Sequence, residues 1–208
     1  MPSIKIAAIA GAVVLAAGIV AMVRHGGPQP ADVSTYELER MNEFKKSEHE
    51  TAILAGGCFW GMEEIIRKIP GVIKTTVGYS GGTTANPTYE DVCTGGTGHA
   101  EAIQVEFDSA RLSYESLMDY FFRMHDPTTL NRQHNDVGTQ YRSAIFYTSE
   151  AQKQTAEQVK TMWDKSGKFS RPITTEIAAA TRFYSAEDYH QKYLAKHPGG
   201  YTCHVLRH

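Results

Sequence analysis

The sequence predicts an α+β fold: an α/β plait in which a two-layer, ferredoxin-like split βαβ core is extended by extra helices and long loops. Within residues 51–147 the apolar pattern alternates between period two and period 3.6 in the order β-α-β-β-α-β. The 41% hydrophobic and 21% charged residues are typical of a folded globular protein. Two long polar loops, 80–98 and 126–139, interrupt this order. Loops of more than about 12 residues in a compact domain are usually functional.

The first three elements form a βαβ unit. Residues 51–55 are a short apolar run that predicts a buried strand, and residues 58–69 repeat apolar residues at helical spacing. Glu63 and the other charged residues of this helix are expected on its solvent face. Pro70-Gly71 ends the helix. The next strand is predicted at 72–79.

The second half of the plait repeats the pattern. Residues His99–Phe107 alternate between apolar and polar and predict a strand. A helix follows at 113–125, with Ser113 as its N-cap, and then a strand at 140–147. Beyond the plait, the predicted elements are a helix at 149–165, a strand at 173–179 and a helix at 186–196.

Composition excludes some classes of function. The formal net charge of −2 provides no broad basic surface, so we expect no nucleic-acid binding. Three cysteines are an odd number and too few for a disulfide scaffold, so at least one thiol is unpaired or the pairing changes during a reaction. No pair of His and Cys residues has zinc-ligand spacing, and we expect no metal site.

The N-terminus is expected to be a separate segment. Residues 6–23 carry no charge and as a helix would span about 27 Å, barely the hydrocarbon thickness of a bilayer. The run ends without a clear small-x-small cleavage site, which favours an uncleaved membrane anchor over a cleaved signal. We therefore expect an anchor or signal segment at 1–25, a linker at 26–49 and a catalytic domain at 50–208. The domain would face the extracytoplasmic side; after cleavage it would instead be secreted or periplasmic.

Cys58 is the first candidate for chemistry. It follows two glycines and opens a helix, where unpaired N–H groups and the helix dipole favour a thiolate and lower its pKa below about 8.5. The alternative is a buried structural cysteine. Phe59 and Trp60 do not fit the apolar stripe of the helix. They are interpreted either as an aromatic wall beside the sulfur or as packing against the linker or tail.

Glu101 is the candidate acid. It lies on the more apolar face of the strand at 99–107, where desolvation would raise its pKa, as a general acid requires. The alternative is a structural ion pair with Arg142 or Lys74. His99 is expected to hold the end of the strand rather than to catalyse.

The remaining cysteines differ in their setting. Cys203 lies in a glycine-flanked tail at 197–208 that we expect to be mobile and able to reach another thiol. The alternative is an incidental surface cysteine. Cys93 has no such setting and is interpreted as buried or as a bystander.

Several strings together resemble the A-type peptide methionine sulfoxide reductases over about residues 50–205. They are Gly57-Cys58-Phe59-Trp60-Gly61-Met62-Glu63, Gly78-Tyr79-Ser80-Gly81-Gly82, Asn86-Pro87-Thr88-Tyr89, Gly98-His99-Ala100-Glu101, Asn135–Arg142 and the Gly-Tyr-x-Cys tail at Cys203.

The resemblance implies a reaction. Cys58 attacks the sulfoxide sulfur, Glu101 delivers a proton toward the oxygen, methionine leaves and Cys58 is left as a sulfenic acid. Cys203 then forms a disulfide with Cys58, and thioredoxin or a similar dithiol reduces it. The family is specific for the S epimer and needs no metal or bound organic cofactor. We expect the protein to act as a monomer.

The resemblance also implies a substrate site. Tyr89 and Tyr141 would hydrogen-bond the sulfoxide oxygen, and Asp136 would order the site through water or backbone. Phe59 and Trp60 would form the pocket for the S-methyl group.

Three other functions fit parts of the same pattern. A thiol peroxidase would use Cys58 on hydrogen peroxide, and an acyl-transfer enzyme would need a histidine base beside that thiol. A membrane-tethered module could bind oxidised partners without turnover.

Overall fold

The computed structural model describes residues 49–208. The predicted membrane segment at 6–23 and all but the last residue of the predicted linker lie outside these residues. In the described part of the chain, no helix is long and apolar enough to cross a membrane.

Residues 49–208 form short and regular elements connected by long loops. In chain order they are β1 (His49–Gly56), α1 (Phe59–Ile66), β2 (Val72–Ser80), α2 (Tyr89–Cys93), β3 (Ala100–Asp108), α3 (Tyr114–Met124), β4 (Arg132–Gln133), β5 (Asp136–Val137), a 3₁₀ turn (Thr139–Tyr141), β6 (Ser143–Tyr147), α4 (Glu150–Lys165), β7 (Glu176–Ala179), β8 (Tyr184–Ser185) and α5 (Tyr193–Lys196).

The strand order confirms the predicted fold class. The main sheet runs β7-β6-β1-β3-β2-β8, and β4 and β5 form a separate hairpin. Because β3 is antiparallel to both β1 and β2, these two strands are parallel and separated by β3, which is the split βαβ arrangement. β6 pairs antiparallel with β1 and completes the plait. β7 and β8 extend the two edges.

The core lies between one face of the sheet and the long helices. Alternate residues of β1 and β3, together with the apolar faces of α1, α3 and α4, form one buried cluster. The opposite face carries smaller side chains, mainly alanines, covered by residues 178–183. Glu101 of β3 shares the face of the larger cluster, because it alternates with Ile103 and Val105. A carboxyl group is thus placed at the edge of an apolar layer, as predicted.

Side-chain caps define several helix ends, and Ser113 is an N-cap as predicted. The Ser113 hydroxyl accepts a hydrogen bond from the Ser116 N–H at the start of α3, and Ser149 does the same for the Gln152 N–H of α4.

The long polar loops contain more structure than the sequence indicated. The 80–98 loop holds α2, whose N-cap Thr88 forms a capping box.

The predicted strand at 140–147 starts too early. Gln140 and Tyr141 belong to the 3₁₀ turn, and the strand begins at Ser143. Gly138, at φ 147° and ψ 159°, precedes this turn and sets its direction.

The predicted helix at 186–196 is wrong except for its last turn. Lys192 has a left-handed φ of 53°, so α5 begins only at Tyr193. The side chain of Gln191 accepts from the Val77 N–H and donates to the Val77 carbonyl, which fixes this segment along β2. Side-chain bonds to a neighbouring strand therefore replaced the backbone bonds of a helix.

Glu63 contradicts the predicted solvent face of α1. It is buried, and its carboxylate accepts hydrogen bonds from the Thr75 hydroxyl (2.9 Å) and the Lys192 backbone N–H (2.6 Å). Because both partners are distant in sequence, the pattern of α1 alone could not reveal that this carboxylate connects the helix to the C-terminal segment.

Candidate active site

The junction between β1 and α1 places Cys58. Gly57 has a φ of 101°, which favours glycine, and Cys58 is the N-cap of the helix that begins at Phe59. The thiol is buried, with 7% of its residue surface exposed, and a hydrogen bond from the Trp60 N–H reaches it. The sulfur thus lies at the predicted helix start, facing an unpaired N–H of the first turn.

Glu101 meets the same turn of α1 from the sheet. Its Oε2 accepts a hydrogen bond from the Phe59 N–H at 3.0 Å, and only 2% of the residue is exposed. The structural ion pair considered from the sequence does not form, because Arg142 and Lys74 pair with other carboxylates. The thiol and the carboxyl group are therefore held by consecutive N–H groups of one helix end.

Burial sets the protonation of both groups. It raises the pKa of Glu101 to about 8; the negative charge of Asp136 also raises this pKa, and the Phe59 N–H lowers it. Burial, followed by the charge of Glu101, raises the pKa of Cys58 well above its usual range. The prediction of a lowered thiol pKa is therefore wrong, because desolvation exceeds the effect of the Trp60 N–H. Near neutral pH both groups carry a proton.

Aromatic rings surround the first turn of α1. The Phe59 ring is buried against His190, at a centroid distance of 5.0 Å. The half-buried Trp60 ring stacks on Tyr193 at 3.8 Å, and its Nε1 donates to His190 Nδ1 at 3.0 Å. The rings therefore pack against residues 190 and 193, which precede the predicted tail, rather than against the linker or the tail itself, and the aromatic wall beside the sulfur stays a prediction. His190 was missed because it lay in a predicted helix; the cluster of tyrosines around it in the sequence was its only signal.

Tyr89 and Tyr141 converge on Glu101 from two loops. Tyr89 is the first residue of α2, and its backbone N–H donates to Glu187 at 2.9 Å. Tyr141 ends the 3₁₀ turn. Burial raises the pKa of both phenols; a hydrogen bond from the Tyr89 hydroxyl to Cys93 raises that of Tyr89 further, and the charge of Glu101 raises both. Both hydroxyl groups therefore keep their protons and can donate hydrogen bonds.

Asp136 lies between this group and the second thiol. Its Oδ1 accepts a hydrogen bond from the half-exposed Tyr201 at 3.1 Å. Its charge raises the pKa values of Glu101, Cys203 and Tyr141. The carboxylate thus links the tail to the catalytic turn through its charge.

Cys203 is buried rather than carried on an exposed tail. Only 8% of its residue surface is exposed, which contradicts the alternative of an incidental surface cysteine. Burial raises its pKa to about 12, as do the hydrogen bond of the thiol to the Asp136 carboxylate and the charge of that carboxylate, whereas a hydrogen bond from the Cys58 backbone N–H lowers it. Cys58 and Cys203 are therefore neighbours, and both are free thiols.

Two anchors hold the tail in place. The His204 Nε2 lies 2.8 Å from the carbonyl oxygen of Gly56, and the Arg207 guanidinium donates to the Phe122 carbonyl at 2.8 Å near the end of α3. The cation at the carbonyl end of a helix is also favoured by its dipole. Neither His204 nor Arg207 was predicted from the sequence, because both act on distant backbone groups.

Glycines in α1 and before it make room for this tail. A Cβ on Gly57 would lie 2.6 Å from the Gln133 side chain, and one on Gly61 would lie 2.5 Å from His204 Nδ1 and would also contact Thr202. The glycines on both sides of the Cys58-Phe59-Trp60 string are thus explained by close approach of side chains from the hairpin and the tail.

The structure also tests the predictions made for His99 and Cys93. His99 holds the loop before β3, since its Nδ1 accepts from the Gly82 N–H and its Nε2 donates to the Thr84 carbonyl. Cys93 is exposed at the end of α2, so its interpretation as buried is wrong. In residues 49–208 no group of three or more His, Cys, Asp or Glu side chains could hold a metal ion.

Comparisons with known proteins agree on one family. The family model described as peptide methionine sulfoxide reductase matches residues 50–208. Peptide methionine sulfoxide reductase MsrA 1 of Mesorhizobium japonicum is 56% identical over 158 residues, which cover 76% of this chain and 90% of that protein.

Solved structures give the same result. The reduced form of Mxr1 from Saccharomyces cerevisiae superposes with a TM-score of 0.74 at 40% identity, covering 77% of this chain and 93% of that one. The same yeast protein in complex with Trx2 has a TM-score of 0.53 at 29% identity, covering 77% of this chain and 91% of that one.

We predict that Gly61→Ala loosens the tail. Because the new methyl group would overlap His204 and Thr202, overpacking should cost about 1–3 kcal/mol, offset in part by about 1 kcal/mol of helix propensity. Alkylation of Cys203 by a maleimide, followed by mass spectrometry, should become several-fold faster. Gly96→Ala is the matched control, since its nearest contact would be 3.3 Å. Unchanged labelling of Cys203 would contradict the explanation given for Gly61.

Proposed function

Because the chain belongs to the family of peptide methionine sulfoxide reductases, we propose that Cys58, Glu101 and Cys203 carry out its thiol-dependent reduction of methionine sulfoxide to methionine. One observation supports this assignment most directly. The buried Glu101 carboxyl group bonds the first N–H of α1 at 3.0 Å, beside the thiol at the N-cap of the same helix. A nucleophile and an acid thus face one small region from which water is largely excluded.

The first step transfers oxygen from the substrate to Cys58. The sulfur of Cys58 attacks the sulfoxide sulfur while Glu101 gives its proton to the sulfoxide oxygen. The proton of the Cys58 thiol then passes to Glu101. The hydroxyl group moves from the substrate sulfur to the Cys58 sulfur as the new S–S bond breaks, so that methionine leaves with the electron pair of that bond and Cys58 remains as a sulfenic acid. Since both groups are protonated at the start, the step needs no net uptake of protons.

The surrounding side chains bind the sulfoxide. The hydroxyl groups of Tyr89 and Tyr141 donate to its oxygen, and their raised pKa values support a role as donors. Phe59 and Trp60 form the wall against which the S-methyl group packs. Asp136 orders this region through its charge and its bond to the tail.

The second step restores the thiol. Cys203 attacks the Cys58 sulfenic acid and forms a disulfide, which an external dithiol such as thioredoxin reduces by exchange. The complex of the yeast relative with Trx2 supports a reductant of this kind. The cycle acts on the S epimer, peptide-bound and free, as a monomer and without a metal or bound organic cofactor.

Single-turnover assays of the cysteine variants test these assignments. Cys58→Ser should form no methionine, because it lacks the nucleophile. Cys203→Ser should release one methionine per enzyme and then stop when thioredoxin is the reductant. Cys93→Ser serves as the control, because Cys93 has no step in the cycle and a serine hydroxyl can still accept the hydrogen bond from Tyr89. Full turnover by Cys58→Ser, or sustained cycling by Cys203→Ser, would refute the assignment of that cysteine.

The pH dependence tests Glu101. Below about pH 8 the carboxyl group holds the proton that it delivers, and above that value it is ionised. The rate of methionine formation should therefore fall about tenfold per pH unit above pH 8. Glu101→Gln can still accept from the Phe59 N–H but carries no acidic proton. It should be slower by about 10²- to 10⁴-fold and show no such fall, while substrate binding changes far less.

Two outcomes would contradict the role of Glu101 as the acid. Equal losses in binding and in rate would mean that Glu101 mainly positions the substrate. A Glu101→Gln profile that still falls above pH 8 would assign the titration to another group.

We further propose that residues 6–23 anchor the protein in a membrane, with residues 26–49 as linker and the catalytic domain at 50–208 on the extracytoplasmic side. The uncharged run supports this proposal. Fractionation with intact-mass analysis should find the full 208-residue chain in the membrane fraction. Leu15→Arg should reduce that retention, because a charge at a bilayer centre costs about 3 kcal/mol. A shortened, unattached chain would instead indicate a cleaved signal.

A further inference from the structure

We propose that His204 is the general base of the second step, taking the thiol proton of Cys203 as this sulfur attacks the Cys58 sulfenic acid. This inference rests on the proposed function of Cys203 and adds a catalytic residue to it. His204 directly follows Cys203, and its ring nitrogen Nδ1 lies 3.3 Å from the Cys203 sulfur.

The hydrogen bond on the other side of the ring fixes the tautomer. Nε2 lies 2.8 Å from the carbonyl oxygen of Gly56, which can only accept. Nε2 therefore carries the proton of the neutral imidazole, and Nδ1 presents its lone pair. Because Nδ1 carries no proton, the thiol is the donor in its contact with Nδ1; the Asp136 carboxylate is a second acceptor beside the same thiol. The backbone at the end of β1 thus prepares the nitrogen that faces the sulfur to accept a proton.

Electrostatics keep this nitrogen available. His204 is buried, with 4% exposed, and burial lowers its pKa to about 4, so the ring is neutral at physiological pH. The charged and titratable groups that face it are Asp136, His134, His125 and Cys203. Among them Asp136 favours the imidazolium that forms when the proton is transferred, whereas His134 opposes it.

The second thiol needs such a base. With a pKa near 12, Cys203 is almost never ionised at neutral pH without help. As its proton leaves, the Cys58 backbone N–H stabilises the developing thiolate. The His204 backbone N–H donates to the Thr202 hydroxyl at 3.1 Å, which helps to fix the backbone that carries the ring. The Cys203 sulfur is therefore in contact both with a proton acceptor and with an N–H donor that stabilises the developing thiolate.

The step balances without another reagent. The Cys203 sulfur gives its electron pair to the Cys58 sulfur, an S–S bond forms and the S–O bond of the sulfenic acid breaks. His204 accepts the thiol proton and returns it to the departing hydroxide, which leaves as water. Cys203 is oxidised and the sulfenic sulfur of Cys58 is reduced, with the substrate as the original oxidant.

His204→Gln separates the base from the anchor. A glutamine amide can still donate to the Gly56 carbonyl in place of Nε2 but offers no base at the position of Nδ1. The reduced full-length chain is mixed with a methionine sulfoxide peptide and quenched in acid at successive times. Methionine release and the Cys58–Cys203 disulfide are measured by mass spectrometry and peptide mapping from pH 6 to 9. His197→Gln, an exposed histidine of the same segment, is the matched control.

We expect the rate of disulfide formation in His204→Gln to fall about 100-fold or more relative to the rate of methionine release near pH 7. It should then rise about tenfold per pH unit, because Cys203 must ionise into solvent. In the wild type this rate should be nearly independent of pH in that range, since His204 is already neutral.

Equal rates in the wild type and His204→Gln, or a slower rate with an unchanged pH profile, would overturn the role of His204. If His204→Gln releases no methionine, His204→Asn is measured by the same criteria. A wild type that releases methionine without forming the disulfide would instead refute the proposed role of Cys203. The two failures are therefore distinguishable.

Discussion

The hydrogen bond from the Phe59 N–H to Glu101 is the interaction on which the site depends. It joins the start of α1 to the middle of the sheet and thereby fixes the thiol at the preceding residue. The bond favours an ionised carboxylate, yet burial outweighs it and keeps Glu101 protonated up to about pH 8. The contact between a helix end and a strand thus sets the geometry of the site, whereas burial sets the protonation of the thiol and the carboxyl group.

The reactivity of Cys58 follows from this neutrality rather than from a stable thiolate. A helix N-terminus alone would lower the thiol pKa, but here desolvation and Glu101 act against it and prevail. The sulfur becomes a strong nucleophile only when its proton has an acceptor, and in the proposed mechanism Glu101 becomes that acceptor after it has protonated the substrate oxygen. Coupling of the two transfers keeps charge out of a buried site, where an isolated ion is costly.

The sequence could predict whatever depends on local pattern. Alternation in β3 was enough to place Glu101 on the apolar face, and the glycine pair was enough to place Cys58 at a helix start. Pattern failed where side chains bind distant partners. The helical pattern predicts an exposed Glu63, but its carboxylate accepts a hydrogen bond from the distant Lys192 N–H. The helix predicted at 186–196 is replaced by a segment whose side chains bond to β2. The raised thiol pKa also depends on burial that no single segment contains.

The tail shows why the second thiol was misjudged. Flanking glycines predicted a mobile segment, but His204 and Arg207 tie the chain to the ends of β1 and α3. Holding Cys203 next to Cys58 removes most of the entropy cost of bringing two thiols together. The same burial raises the pKa of Cys203 and would leave it unreactive. A fixed, buried thiol therefore needs a proton acceptor at its side. The Asp136 carboxylate lies beside this thiol, and in the proposed second step His204, the imidazole in contact with the sulfur, takes the proton.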